Sequence, residues 1–188
     1  MGAGGPRERG EARLIGGRGQ RRNPPASGAF GGEPNPGDVV AHDSKGDPDF
    51  VVALTDTPDE EAESEAAAAL YRHNAEKTGV ADRAPIGAKL YDAVSGEVLG
   101  GLWGRTELGL LFVETFFLPG GVRGRSLGGR LLSAVEAEAK RRGCKRAVVE
   151  TSSFQAPGFY ERHGYEEFGR VAFGLPGHAR VFLRKSLE

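Results

Sequence analysis

GLLFVETFFL (residues 109–118), PGGVRGRS (119–126) and LGGRLLSAVEAEAKRR (127–142) run on without interruption, and their joint reading decides the fold. In the first piece Leu110, Phe112, Phe116 and Leu118 alternate with Leu111, Val113 and Phe117, so both faces of an extended chain are apolar. That is the pattern of a central strand covered on both sides. Glu114 interrupts it, and an ionised carboxylate buried there costs on the order of several kcal/mol unless it is paired or put to use. In the third piece Leu127, Leu131, Leu132, Val135 and Ala139 recur at helical spacing, Lys140, Arg141 and Arg142 close the helix, and Gly143 stops it.

The middle piece joins a buried strand to a helix through Gly120, Gly121 and Gly124, with Gly128 and Gly129 just inside the helix. Glycines let backbone approach a ligand closely. A helix beginning near Ser126 aims its unpaired N–H groups and the positive end of its dipole at the same turn, and Arg123, Arg125 and Arg130 add charge. Together these make a diphosphate site. No Gly-Lys-Ser/Thr follows and the spacing is not G-x-G-x-x-G, so neither mononucleotide nor dinucleotide loop is present. Arg123-Gly124-Arg125-Ser126-Leu127-Gly128 instead resembles the Arg/Gln-x-x-Gly-x-Gly/Ala signature of the GNAT superfamily of acyl-CoA-dependent N-acetyltransferases. Ser126 departs from it, standing where the first glycine is usual; it still offers its amide, and its hydroxyl is suited to capping the helix.

A second stretch carries the resemblance further. Gln155-Ala156-Pro-Gly-Phe159-Tyr160-Glu-Arg-His-Gly164-Tyr165 is similar to that superfamily's Asn/Gln-Ala-x-x-Phe-Tyr-x-x-x-Gly-Phe/Tyr element. The resemblance spans residues 49–188. It implies an α/β fold with a mixed, mostly antiparallel central sheet, helices on both faces, and two parallel strands that splay to admit the pantetheine arm of acetyl-CoA. It places the cofactor along Phe116, Phe117 and Leu118, around Arg123, Gly124, Arg125, Ser126, Leu127, Gly128 and Gly129, and against Gln155 and Phe159. A backbone N–H near Phe117 or Leu118 is implied to stabilise the oxyanion.

The chemistry expected of such a site is general acid–base catalysis. A protonated alkylamine must lose a proton before it attacks a thioester, and Glu114, its pKa raised by an apolar strand, is the candidate base; pairing with an arginine is the alternative use for it. Tyr160 is the candidate acid for the departing thiolate, against a buried, hydrogen-bonded tyrosine. Phe159 reads as core. Cys144 has no base beside it in the sequence and reads as a small hydrophobe. His178 and Arg180 lie in and after a loop where the family shapes its acceptor pocket, and Trp103 and Tyr71 are pocket walls or core.

Composition bounds the rest. A chain of 188 residues suits one domain with a sizeable core, and a net charge of −1 gives no global field for nucleic acid or anionic membrane. One cysteine excludes an internal disulfide, and no metal is expected. No apolar run has membrane-spanning length, and the N-terminal arginines have no hydrophobic stretch behind them, so neither a membrane anchor nor a signal peptide is expected and the location expected is cytoplasmic. Residues 1–48 hold 12 of the 30 glycines and 6 of the 11 prolines with no apolar period, and are expected to be a disordered tail before a domain at 49–188. Downstream, a strand is expected over 50–54, a helix from Pro58 to about Lys77 capped by Thr57, and a hairpin from 86–92 and 97–103 whose Gly100, Gly101 and Gly104 leave space beside the next strand.

The expected activity is transfer of an acetyl group from acetyl-CoA to a primary amine in a ternary complex. The acceptor is a small molecule or a peptide, and a homodimer accords with the habit of the superfamily. Two other classes compete with it: an acyl-CoA-binding module without turnover, and a nucleic-acid-associated protein acting through its Arg/Gly tail. Glu114 and Tyr160 favour catalysis over the first, and near-neutral charge disfavours the second.

Overall fold

The computed structural model describes residues 39–41 and 52–188. The rest of the expected tail lies outside the described residues. The chain divides into two units, residues 1–69 and 70–188. In the first, β1 (Val39–Ala41) pairs antiparallel with β2 (Val52–Leu54), so three residues of the segment expected to lack structure form a strand. The long helix α1 (Glu60–Thr78) starts two residues later than the sequence suggests. Its cap is Asp59, whose Oδ1 accepts the Ala62 amide at 2.9 Å, and not Thr57.

The second unit is built on a six-stranded mixed sheet. Its strands are β3 (Ala84–Tyr91), β4 (Val98–Glu107), β5 (Leu110–Phe117), β6 (Arg146–Ser152), β7 (Glu166–Ala172) and β8 (Ala179–Ser186), in the spatial order β3-β4-β5-β6-β8-β7. Every pair is antiparallel except β5 with β6. The β3–β4 hairpin is closed by Asp92, whose Oδ1 accepts the amides of Val94 and Ser95. The β4–β5 hairpin turns on Leu108 and Gly109, both at positive φ, which suits the twist of a two-residue hairpin.

Between β5 and β6 the helix α2 (Leu127–Arg141) makes the crossover and buries Leu131, Leu132, Val135 and Ala139. Leu132, Val135 and Ala139 share one core with Leu102, Leu111, Val149, Val181 and Leu183, each leucine or valine among them worth roughly 1.5–3 kcal/mol on burial. Arg142 anchors the end of α2, donating from Nη1 to Pro85 O at 2.9 Å while its Nε meets Glu138. Short α3 (Pro157–Glu161) follows β6. The glycines of β4 do not leave space: a Cβ at Gly101 would strike the Trp103 indole at 2.9 Å, and those at Gly100 and Gly104 would run into carbonyls of β5. They bring neighbouring backbones together.

Candidate active site

The ladder between β5 and β6 runs from Leu110↔Arg146 only to Val113↔Val149, after which the strands have no further pairing. β5 stays with β4 as far as Phe117↔Gly101, and β6 stays with β8 as far as Ser152↔Arg180. A gap therefore opens inside the sheet at the C-terminal ends of two parallel strands, where β5 and β6 no longer hydrogen-bond to each other.

The opening coincides with a bulge. Trp103 pairs with Thr115 but Gly104 pairs with Val113, which leaves Glu114 as the extra residue. Val113 and Phe116 consequently face the same side, opposite Gly104 and Leu102, although they are three residues apart. Phe116 joins the core there. The alternation read from the sequence fails at this point, and so does the burial expected of Glu114: its side chain is 47% exposed. Glu114 Oε1 is ion-paired with Arg105 Nη1. Exposed to this degree, such a pair adds about 0–1 kcal/mol to stability.

Beyond β5 the chain makes a single 3-10 turn at Gly120–Val122 and enters α2 at Ser126. Arg123 staples the turn, its Nε donating to Leu118 O at 2.8 Å, while Gly124 takes φ 76°. Ser126 itself is left-handed at φ 57°, the conformation for which glycine is suited, and its hydroxyl makes no capping bond. The capping expected of it is not made. The first bond of α2 runs from Arg130 N to Ser126 O, so the amides of Leu127, Gly128 and Gly129 ahead of it are orphans of the helix start. With Arg123 and Arg125 exposed beside them, this is a lining that fits a diphosphate. Gly128 and Gly129 have a second use. A Cβ on them would meet Phe159 at 3.2 Å and His163 Nε2 at 2.7 Å, so they let α3 and its following turn lie close on α2.

Phe159 sits edge-on to Phe116 at 5.5 Å, tying α3 to the far end of β5. Gln155 finishes β6: its Oε1 accepts the Ser152 amide at 2.9 Å and lies 3.2 Å from Thr151 Oγ1. Tyr160 is 5% exposed, packed against Phe159 and Tyr165, and burial pushes its phenol up to about 12, so it holds its proton throughout the neutral range. Cys144 is buried, and burial raises its thiol; it makes no nucleophile.

His178 and Arg180 are brought to the other side of the opening. The His178 ring stands on Phe154 at 5.3 Å, Phe154 on Phe173 at 6.2 Å, and Arg180 lies over Phe173 and 3.8 Å from Glu150. Sequence reasoning missed Phe154 and Phe173; only their nearness to the Gln155 element and the loop after β7 would have marked them. It also missed Arg105, whose sole signal was a cation in the strand paired with Glu114. Trp103 lies across Gly87 and Gly101, and Tyr71 accepts the Arg83 amide. Among the described residues no helix is long and apolar enough to cross a membrane.

Comparison with known proteins agrees with this geometry. The family described as Acetyltransferase (GNAT) family matches residues 49–165. The acetyltransferase Atu2258 of Agrobacterium fabrum is 32% identical over 132 residues, 70% of this chain and 96% of that protein. A blasticidin-S acetyltransferase of Streptomyces morookaense is 43% identical over 93 residues, 49% of this chain and 68% of that protein. A crystal structure from Agrobacterium tumefaciens at 32% identity superposes with a TM-score of 0.66, covering 71% of this chain and 96% of that one. An acetyltransferase structure from Bacillus cereus at 25% identity reaches 0.60 over the same shares.

Proposed function

For a chain that belongs to the GNAT family of acetyltransferases, we propose N-acetylation of a primary amine on a small molecule, with Glu114 as proton acceptor and Tyr160 as proton donor. The observation that carries this is the parting of β5 and β6 after Val113 and Val149, which puts Glu114 at the mouth of the gap, with Tyr160 on the short helix after β6. Acetyl-CoA, when bound, supplies an acyl group already activated as a thioester. The orphan amides of Leu127, Gly128 and Gly129, with Arg123 and Arg125, hold its diphosphate. Phe116, Phe117 and Leu118 offer the side of β5 that β6 has left, and Phe159 and Gln155 keep the other wall in place.

The proton chemistry divides between the two ends of the cleft. Glu114 takes the proton of an incoming ammonium, directly or through water. Tyr160, held protonated by its burial, gives the phenolic proton to the thiolate that leaves. The small-molecule acceptor is supported by the named substrate of the Streptomyces relative.

Release of free CoA from acetyl-CoA across a panel of amines, blasticidin S and polyamines included, tests the activity. Tyr160→Phe should then lower kcat by roughly 10²–10⁴, the span of a general acid, with little change in acetyl-CoA affinity. A panel in which no amine is turned over, or near-wild-type turnover in the tyrosine variant, contradicts the proposal.

A further inference from the structure

Arg105 is held on three sides. In register it stands opposite Phe112 on β5, and its guanidinium carbon lies 4.1 Å from the centre of that ring. Its Nε donates to Glu107 Oε2 at 3.2 Å, and Glu107 is itself mostly buried, with Arg83 Nε 4.0 Å from the same oxygen. Stacking fixes the plane of the guanidinium and Glu107 fixes its rotation, so Nη1 is delivered to one place. That place is Glu114 Oε1.

Glu114 is in need of such a guide. As the extra residue of a bulge it has no residue opposite it in the β4 ladder to set its direction, and its side chain is half in solvent. A free carboxylate there would sample several rotamers. With Oε1 taken by Arg105, Oε2 has no partner among the described residues and is the oxygen left for a ligand.

We propose that Arg105 is the positioning residue of the acetyl-transfer reaction: it holds Glu114 by Oε1 so that Oε2 meets the incoming amine. The inference rests on Glu114 being the proton acceptor. In the step it serves, the N–H bond of an alkylammonium breaks, its electron pair stays on nitrogen for the attack, and the proton passes to Oε2 to leave a neutral carboxyl. Arg105 forms no bond to substrate and changes no charge. Its contribution is geometric, the kind for which a displacement of about 1 Å costs up to roughly 10² in rate.

The test uses the full chain and two acceptors: the alkylamine turned over in the panel, and hydroxylamine, which is neutral at pH 7 and needs no base. Arg105→Ala should lower kcat for the alkylamine by about 10- to 100-fold with the KM for acetyl-CoA unchanged, and Arg105→Lys should restore part of it. Hydroxylamine turnover should be spared. In a Glu114→Gln background the alanine substitution should have no further effect, because its whole action passes through that carboxylate. Thermal midpoints measured with and without acetyl-CoA should show the variant folded and binding.

Losses that multiply in the double variant, or equal loss with both acceptors, would overturn the proposal and make Arg105 a part of the sheet alone. Glu114→Gln at wild-type rate would instead remove the proton acceptor, and the inference with it. Full loss in Glu114→Gln beside a wild-type Arg105→Ala would remove only the inference.

Discussion

Ser126 shows how much a single backbone angle carries. A residue with a Cβ in the left-handed region pays about 1–2 kcal/mol, whereas glycine pays nothing there but surrenders about 0.5–1 kcal/mol more chain entropy on folding. Ser126→Gly should therefore stabilise the protein by about 0.5–1 kcal/mol and raise the thermal midpoint by a few degrees. Ser126→Ala should leave it where it is, since the hydroxyl caps nothing. Thermal melts of the three proteins decide both. The position of this residue was legible in the sequence, because a motif spacing marks it. Its φ was not: a serine at a helix start ordinarily reads as a cap, and only the backbone shows that it occupies a glycine's conformation. Glu114 is the opposite case, since its candidacy rested on burial that a one-residue bulge removes.

Among the elements, β5, α2 and β6 were plain from periodicity, and their order implied the parallel crossover that creates the gap. What periodicity could not carry is the register. An inserted residue preserves the hydrophobic count of a strand while exchanging its faces, so the alternation from Leu110 to Leu118 looked regular up to the end. The glycines misled in a similar way, because lack of a side chain serves equally to admit a ligand or a neighbouring helix. Gly129 belongs to the second kind, with a Cβ there 2.7 Å from His163 Nε2. Gly129→Ala should destabilise by about 1–3 kcal/mol, the range for overpacking a close contact. His163→Ala in the same chain should recover most of that, and denaturant melts of the single and double variants measure the recovery.

For the whole molecule, the fold was legible because two local motifs at 123–128 and 155–165 belong to elements on opposite sides of one crossover. The angle of the gap between them is a tertiary property with no residue of its own. If the turn binds as its orphan amides suggest, acetyl-CoA at about 100 times its Kd should add roughly 2.7 kcal/mol of stability, seen as a rise in midpoint that grows with ligand concentration. An unmoved midpoint would separate this chain from its relatives in function while leaving the shared architecture intact.

The extra residue in β5 also sets which mutations this strand can survive. Replacing Glu114 with almost any polar residue keeps the strand's frame, since the side chain is half in solvent and what it gives up is one exposed ion pair with Arg105. Deleting it closes the bulge instead: Val113 and Thr115 become consecutive opposite Gly104 and Trp103, and Phe116 keeps the side of Val113 and its contact with Phe159, but the position that carries a carboxylate outside the ladder is gone. Codon loss at this site is thus a different event from codon change. A β5 shortened at this point would keep both its faces and its core contacts while losing the one position of the strand that stands outside the ladder.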